Sequence, residues 1–426
     1  MAESFSVKAI LSATDKGFSS AMKSASQSIT NLKSTVTSGL GFGIMAGIGQ
    51  SAFNALKNTV TGFTGSIINT GATFQAEMSR VQAISGATAS EFEKLRKQAI
   101  QLGADTSFSS TEVAQGMENL AAAGFATNEI MSAMPGLLNM AAASGENLAT
   151  SSDIAASTLR GFGLAAEDMS HVADVLAENA NRTNSSVSQT GEAMKYIAPL
   201  ARAAGISFEE TAAAIGIMAN AGIQGSQAGT TLRGALSRLS KPTDTMVTAM
   251  KQLGVSFYDS SGKMKPLSEQ IGMLKNAMSG MTDEQRNNYL VTLYGQEALS
   301  GMLALINEGE GSLNSLTEAY RKCDGSAEKA AETMLNNFNG AVEEMNGSVE
   351  SLGISIFYSL SEPLTEAVKS ITEFVNKANA AFESGGIDKK IKKFVDNASK
   401  YWEVFRKNAV EVGKAFGDAF SAIGDS

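Results

Sequence analysis

Residues 104–125 read ADTSFSSTEVAQGMENLAAAGF. Ser109 with Glu112 fits a capping box: the hydroxyl takes a backbone N–H of the first turn, and the carboxylate returns to the N–H of the cap. Gly124 stands where the helical run ends, as the left-handed stop that a residue without a Cβ accepts most easily. The pattern recurs outward from this stretch. Ser90 with Glu93, Ser207 with Glu210 and Thr282 with Gln285 have the same spacing, and Gly103, Gly145, Gly163, Gly205, Gly222 and Gly254 follow helical runs. A cap, about four turns of helix and a glycine stop predict stacked helical hairpins from residue 90 to 310. Alanine-rich runs such as LAAAGF and NMAAASG let such helices approach closely and leave little room for a cofactor. Only residues 253–267, LGVSFYDSSGKMKPL, depart from this, as two short runs around an Asp259–Gly262 turn.

Beyond the core the pattern lengthens. Residues 4–12 alternate as one short strand, and Phe18, Met22, Ala25, Ile29, Leu32 and Val36 trace an amphipathic helix. Residues 34–56, STVTSGLGFGIMAGIGQSAFNAL, carry no charge, and Gly39, Gly43 and Gly47 repeat every four residues, with Phe42, Ile44 and Ile48 between and beside them. That spacing suits close helix–helix approach. The length suffices for a bilayer, but Ser, Thr, Asn and Gln interrupt the apolarity, which favours a buried oligomer seam over a membrane span. Residues 326–382 read as one or two long helices bent near Pro363. Residues 386–420 carry apolar positions in sets repeating every 11 residues, a period that gives nearly straight or right-handed supercoils. The reading is therefore all-α in three parts: an N-terminal strand and helical arm over 1–89, a compact Ala/Gly-rich helical-hairpin core over 90–310, and long amphipathic helices, with coiled-coil character, over 311–426.

Composition excludes much. Charged residues are 18% of the chain and the formal net charge is −9, which argues against a specific nucleic-acid partner, since phosphate binding needs clustered Lys and Arg. The one histidine and one cysteine cannot supply a zinc site of about four ligands, and one cysteine forms no internal disulfide. The first residues lack the basic-then-apolar order of a secretory signal, so folding in the cytoplasm is expected. No catalytic, cofactor or metal site is expected. His171 lies in AAEDMSHVADVLAEN with Asp168 and Asp174 three residues to either side, which explains it as a charge-stabilised helix residue. No G-x-S-x-G elbow or phosphate loop is present, and Gly161-Phe162-Gly163 follows a helix rather than a strand. Residues 208–229 superficially resemble the helical peptidoglycan lyases that use a single Glu; Glu210 would be the acid, but it is read as the capping partner of Ser207 in an exposed first turn. The basic run DKKIKKF at 388–394 reads as a solvated helix face, and Cys323 as an inert helix residue.

Several stretches together resemble the core region of phage tail tape measure proteins. The most specific is AGIQGSQAGTTLRGALSRLSKP at 221–242, supported by residues 104–125, DIAASTLRGFGL at 153–164 and LYGQEALSGMLALINEG at 293–309. The opening VKAILSATDKGFSSAMK is similar to the usual start of the family. The resemblance implies a structural protein and not an enzyme. It implies several copies in an extended helical bundle within the tail lumen, setting tube length during assembly and leaving before the genome. The implied partners are further copies of itself, the tail tube protein, assembly chaperones, baseplate or distal tail proteins and, on ejection, the host membrane. The implied locations are the virion tail and the host cytoplasm during assembly. The alternatives weighed are a pore-forming membrane-active protein acting through 34–56 and the lyase. Family members are usually longer, so the chain reads as a short member, a remnant or a truncated product.

Overall fold

Many of the described helices begin where a side chain takes a free N–H of the first turn, as Thr88, Ser109, Asn147, Ser186, Ser207, Thr243 and Thr282 do, and several end at a glycine with left-handed backbone. The computed structural model describes residues 50–383, and the described residues hold sixteen α-helices. They are α1 Gln50–Ser85, α2 Ala89–Asp105, α3 Ser110–Ala122, α4 Thr127–Ser144, α5 Leu148–Phe162, α6 Met169–Arg182, α7 Val187–Ala204 and α8 Phe208–Asn220. Then follow α9 Ser226–Ser240, α10 Asp244–Leu253, α11 Leu267–Ala277, α12 Asp283–Tyr294, α13 Leu299–Glu308, α14 Glu310–Tyr320, α15 Ser326–Leu335 and α16 Phe338–Glu383. The all-α fold class read from the sequence is what the structure has. Among the described residues the only extended pairing is one antiparallel bridge, Tyr258 to Met264, at the foreseen hairpin. The strand read at 4–12, the segment 34–49 and the 11-residue pattern at 386–420 lie outside the described residues.

The capping boxes at Ser109–Glu112 and Thr282–Gln285 form as read. Two expectations need correction. The cap of α2 is Thr88 with Glu91, two residues before Ser90, because Thr88 is the residue with extended backbone where the chain leaves the preceding turn. Gly103 is not a stop. It lies inside α2, and a Cβ there would stand 2.6 Å from Ser110 Cα, so the glycine is needed for close approach. Gly124, Gly145, Gly163, Gly205, Gly222 and Gly254 do take positive φ. The segment 326–382 holds two helices, parted at Asn336–Asn337, and the second runs on through Pro363.

The chain divides into two compact units. One comprises Gln75–Ser351. Within it, helices pack on the next but one: α3 on α5, α5 on α7 and α7 on α9 form one row, while α4 on α6 and α6 on α8 form a second. α14 then covers α8, and α15 covers α4 and α6. The second row is thus enclosed on two sides, and its sequences show why. In α8, every residue from Glu210 to Ala219 is buried; a helix apolar on all faces has to be internal. Glycines inside helices mark the closest approaches. A Cβ at Gly136 of α4 would meet Ser170 Cα of α6 at 2.8 Å, and one at Gly229 of α9 would meet Ala193 Cα of α7 at 2.9 Å. Gly161, Gly191 and Gly216 sit likewise against Ala198, Ile154 and Asn179.

The other unit combines Met1–Phe74 with Leu352–Ser426. In its described part the end of α1 packs on α16: Gly71 admits the Phe357 ring, and Phe74 meets Tyr358 edge-on at 6.2 Å.

Candidate functional site

The stretch at 221–242 builds α9 and the turn before it. Gly225 has φ +55° and ψ −136°, a conformation open essentially to glycine alone. Gln224 anchors the turn: its amide donates to Asn184 O and accepts from Gln189 Nε2 at 3.0 Å. Ala228, Gly229, Thr231, Leu232, Ala235, Leu236 and Leu239 are buried in the packed face. Arg238 donates to the carbonyls of Leu293 and Thr292 at 3.3 Å each, which satisfies the free carbonyls at the end of α12. Arg233 lies 5.8 Å from the Tyr196 ring centre. The motif's residues are thus committed to packing and capping. The outer face of α9, with Ser226, Gln227, Thr230 and Ser237, lines a shallow hollow with Tyr294 and Glu297.

His171 takes other partners than those its sequence neighbours suggested. Its Nε2 lies 3.1 Å from Glu209 Oε1 and its Nδ1 3.4 Å from Asp324 Oδ1. The Glu209 carboxylate raises the His171 pKa above its usual value, against the opposing effect of burial. The same hydrogen bond pulls Glu209 down to about 2. Asp174 is instead buried, accepting the N–H groups of Gly325 and Ala327 at 2.9 and 2.8 Å at the start of α15. Asp168 accepts from Ala165 N at 2.9 Å. Both aspartates serve helix starts, where the free N–H groups and the helix dipole favour a carboxylate.

Glu210 is also corrected. Ser207 caps its N–H at 3.2 Å, but the Glu210 side chain does not return. It is buried and accepts the N–H of Ser268 at 2.8 Å, at the start of α11. It therefore ties two helices together and faces no open cleft of the kind a general acid needs. Cys323 lies in the turn between α14 and α15, not in a helix; its thiol donates to Tyr320 O at 3.0 Å, and burial pushes it up to about 12, which keeps it protonated and unreactive. A polar hub missed in the sequence joins three helices: Asn179, fully buried, donates to Thr190 Oγ1 at 2.7 Å and accepts from the Tyr320 hydroxyl at 2.7 Å.

Among the described residues no cluster of three potential metal ligands occurs, and no helix is long and apolar enough to cross a membrane. The seam candidates Gly39, Phe42, Gly43, Ile44, Gly47 and Ile48 lie outside the described residues.

Residues 96–295 match the model of a family described as phage-related minor tail protein. Over 336 residues, 78% of its length, the chain is 54% identical to a tape measure protein of Pneumococcus phage Dp-1, covering 29% of that protein. It is 32% identical over 344 residues to a probable tape measure protein of Escherichia phage P2, covering 42% of it. A probable tape measure protein of Clostridium phage phiCD119 is 24% identical over 360 residues. The chain spans less than half the length of each of these relatives, 36% of the third. No solved structure matches.

Proposed function

The chain carries the core region of the phage tail tape measure family, and from that premise we propose that it is a structural component of a tail whose helical length helps to set the length of the tail tube. The observation that carries this reading is the 54% identity to a tape measure protein across most of the chain. What the residues of the motif do agrees with it: they pack and cap helices. The protein acts as a scaffold and not as an enzyme. It works as an N-terminal arm, a helical-hairpin core that takes in α14 and α15, and the long helix α16 with the residues after it. Its place is the lumen of the tail tube, beside further copies of itself and in contact with tube, chaperone and baseplate proteins. Residues 34–56 form the seam or the membrane-active segment of the arm.

The ruler lies in the long helices, since hairpins fold back on themselves. α16 alone has 46 residues, about 69 Å at 1.5 Å per residue. Removing about 22 residues from 386–420, two 11-residue periods, keeps the apolar positions in phase and shortens the tail by about 33 Å. Removing a similar length from the core stops assembly. Electron micrographs measure both. Tails of unchanged length after the in-phase deletion, with assembly intact, overturn a ruler role for that segment.

A further inference from the structure

α15, the ten residues Ser326–Leu335 that precede α16, is held differently from the helices of the core. It rests on α4 and α6, yet only Ala327 and Ala331 of it are buried, whereas α8 buries eleven of its thirteen residues. Two methyl groups remove little apolar area from water. What fastens α15 is polar and comes from one face of α6. Asp174 accepts the N–H groups of Gly325 and Ala327 at 2.9 and 2.8 Å. Glu178 accepts from the Ser326 hydroxyl at 3.2 Å, and His171 lies 3.4 Å from Asp324. His171, Asp174 and Glu178 follow one another at three and four residues, so they stand in a row along the helix. Both ends of α15 are breaks in the backbone path. Gly325 has φ +83° with nothing within 4 Å of where a Cβ would stand. Asn336 has ψ +60°, and Asn337 starts α16 afresh by accepting the N–H of Gly340 at 3.1 Å. The neighbours on either side have anchors of their own. α14 covers α8, and its Tyr320 hydroxyl donates to the buried Asn179 at 2.7 Å. The start of α16 is held by Ser351 on Ser110 at 2.8 Å and by Thr111 on Glu350 at 2.6 Å.

We propose that α15 is a strap that unclasps from α6 as one small unit while the rest of the core stays folded. Elements with few buried apolar contacts and solvent-facing hydrogen bonds open before the elements packed around them. The clasp lets go as a whole, because one carboxylate, Asp174, holds two N–H groups at the helix start; once that start lifts, the Ser326 and Asp324 contacts go with it. Closing restores it, since the carboxylate stands where the free N–H groups and the helix dipole favour a negative charge. Ten residues span about 15 Å as helix and up to about 33 Å extended. An open strap therefore gives the start of α16 room to move from α14 without unfolding either one. The strap is a joint between the hairpin core and the long helix, and it works whether or not the long helices are the ruler.

Cys323, the one cysteine of the chain, is buried in the turn that the clasp holds, so its labelling by an aromatic disulfide reagent reports the opening. In the full chain under native conditions the labelling rate changes less than about twofold between 0 and 1 M urea, since little surface opens with the strap; opening of the whole core raises it at least about tenfold per molar. Asp174→Asn keeps the shape of the side chain but weakens the clasp, and raises the rate about tenfold or more. Ala331→Gly loosens α15 without touching the clasp and raises it roughly fivefold. Hydrogen exchange on the same samples shows the amides of 326–335 opening before those of α4, α6 and α8, whose protection the two variants leave unchanged. If Asp174→Asn does not fold, the urea dependence and Ala331→Gly decide alone. A labelling rate that climbs with urea as steeply as global unfolding, α15 amides as protected as those of α8, or folded variants that label at the wild-type rate overturn the strap.

Discussion

Gly229 and Gly234 are five residues apart in α9, and alanine at the two positions has opposite effects. By local propensity both substitutions stabilise, since alanine is better than glycine in a helix interior by about 1 kcal/mol. At Gly234 nothing lies within 4 Å of the added Cβ, so Gly234→Ala keeps roughly 0.5–1 kcal/mol of that gain. At Gly229 the Cβ arrives 2.9 Å from Ala193 Cα and 3.0 Å from its carbonyl carbon, closer still to the carbonyl oxygen. Carbon atoms pack at about 3.5–4.0 Å, so α7 and α9 have to part by about 0.6–1 Å. The obstruction is backbone, which no rotamer change can clear. Overpacking of this kind costs about 1–3 kcal/mol, so after the propensity gain Gly229→Ala loses up to roughly 2 kcal/mol net. Thermal unfolding of the full chain followed by far-ultraviolet circular dichroism reads the difference. At roughly 2–4 °C per kcal/mol for domains of 150–250 residues, Gly229→Ala melts up to about 8 °C below the wild type and Gly234→Ala slightly above it. If both variants melt higher, local propensity governs α9 and the tight α7–α9 contact is wrong.

The His171–Glu209 pair gives a pH signature. A raised His171 pKa contributes stability that is full below the ordinary value of 6.5 and fades as pH rises through the folded value, while the Glu209 contribution is full above 4.5 and fades as pH falls toward about 2. The stability gap between wild type and His171→Gln is therefore widest between pH 4.5 and 6.5; a gap that grows steadily toward pH 8 contradicts the assignment. Asp174→Ala frees the N–H groups of Gly325 and Ala327 and lowers stability by about 1–2 kcal/mol in denaturant titration, since it removes a helix cap and leaves buried donors unpaired. Protection of the α15 amides from hydrogen exchange falls first, and unchanged protection there counts against the capping role. Asn179→Leu strands the buried Tyr320 hydroxyl, while Thr190 keeps Ser185 and Ser186 as partners, and costs about 1–3 kcal/mol; a neutral effect shows that the hub contributes little.

Much of the architecture was legible in the chain itself. Helix starts at Ser109 and Thr282, stops at Gly124, Gly145, Gly163, Gly205, Gly222 and Gly254, and the Asp259–Gly262 turn all depend on interactions within a few residues. Such local chemistry is written in order along the sequence. So was the family, because 221–242 and its companion stretches occur in a fixed order. What local spacing leaves open is which of several possible partners a side chain takes. Ser90 with Glu93 has the capping spacing for α2, but the path of the chain out of the preceding turn makes Thr88 the cap. His171 had two aspartates within one helical turn, yet it pairs with Glu209 and Asp324, because the packing of α6 on α8 and the return of the chain at α15 bring those carboxylates to it. Glu210 and Asp174 look like exposed acids by position and are buried ties between helices. Gly103 reads as a stop in a one-dimensional pattern but, like Gly229, is a contact point, since only a neighbouring helix shows that a Cβ has no room. The order of rows, and the burial of α8 between the first row and α14, likewise depend on contacts between residues far apart in the chain. Such contacts form because apolar faces must leave water together, and no short stretch of sequence specifies which face meets which.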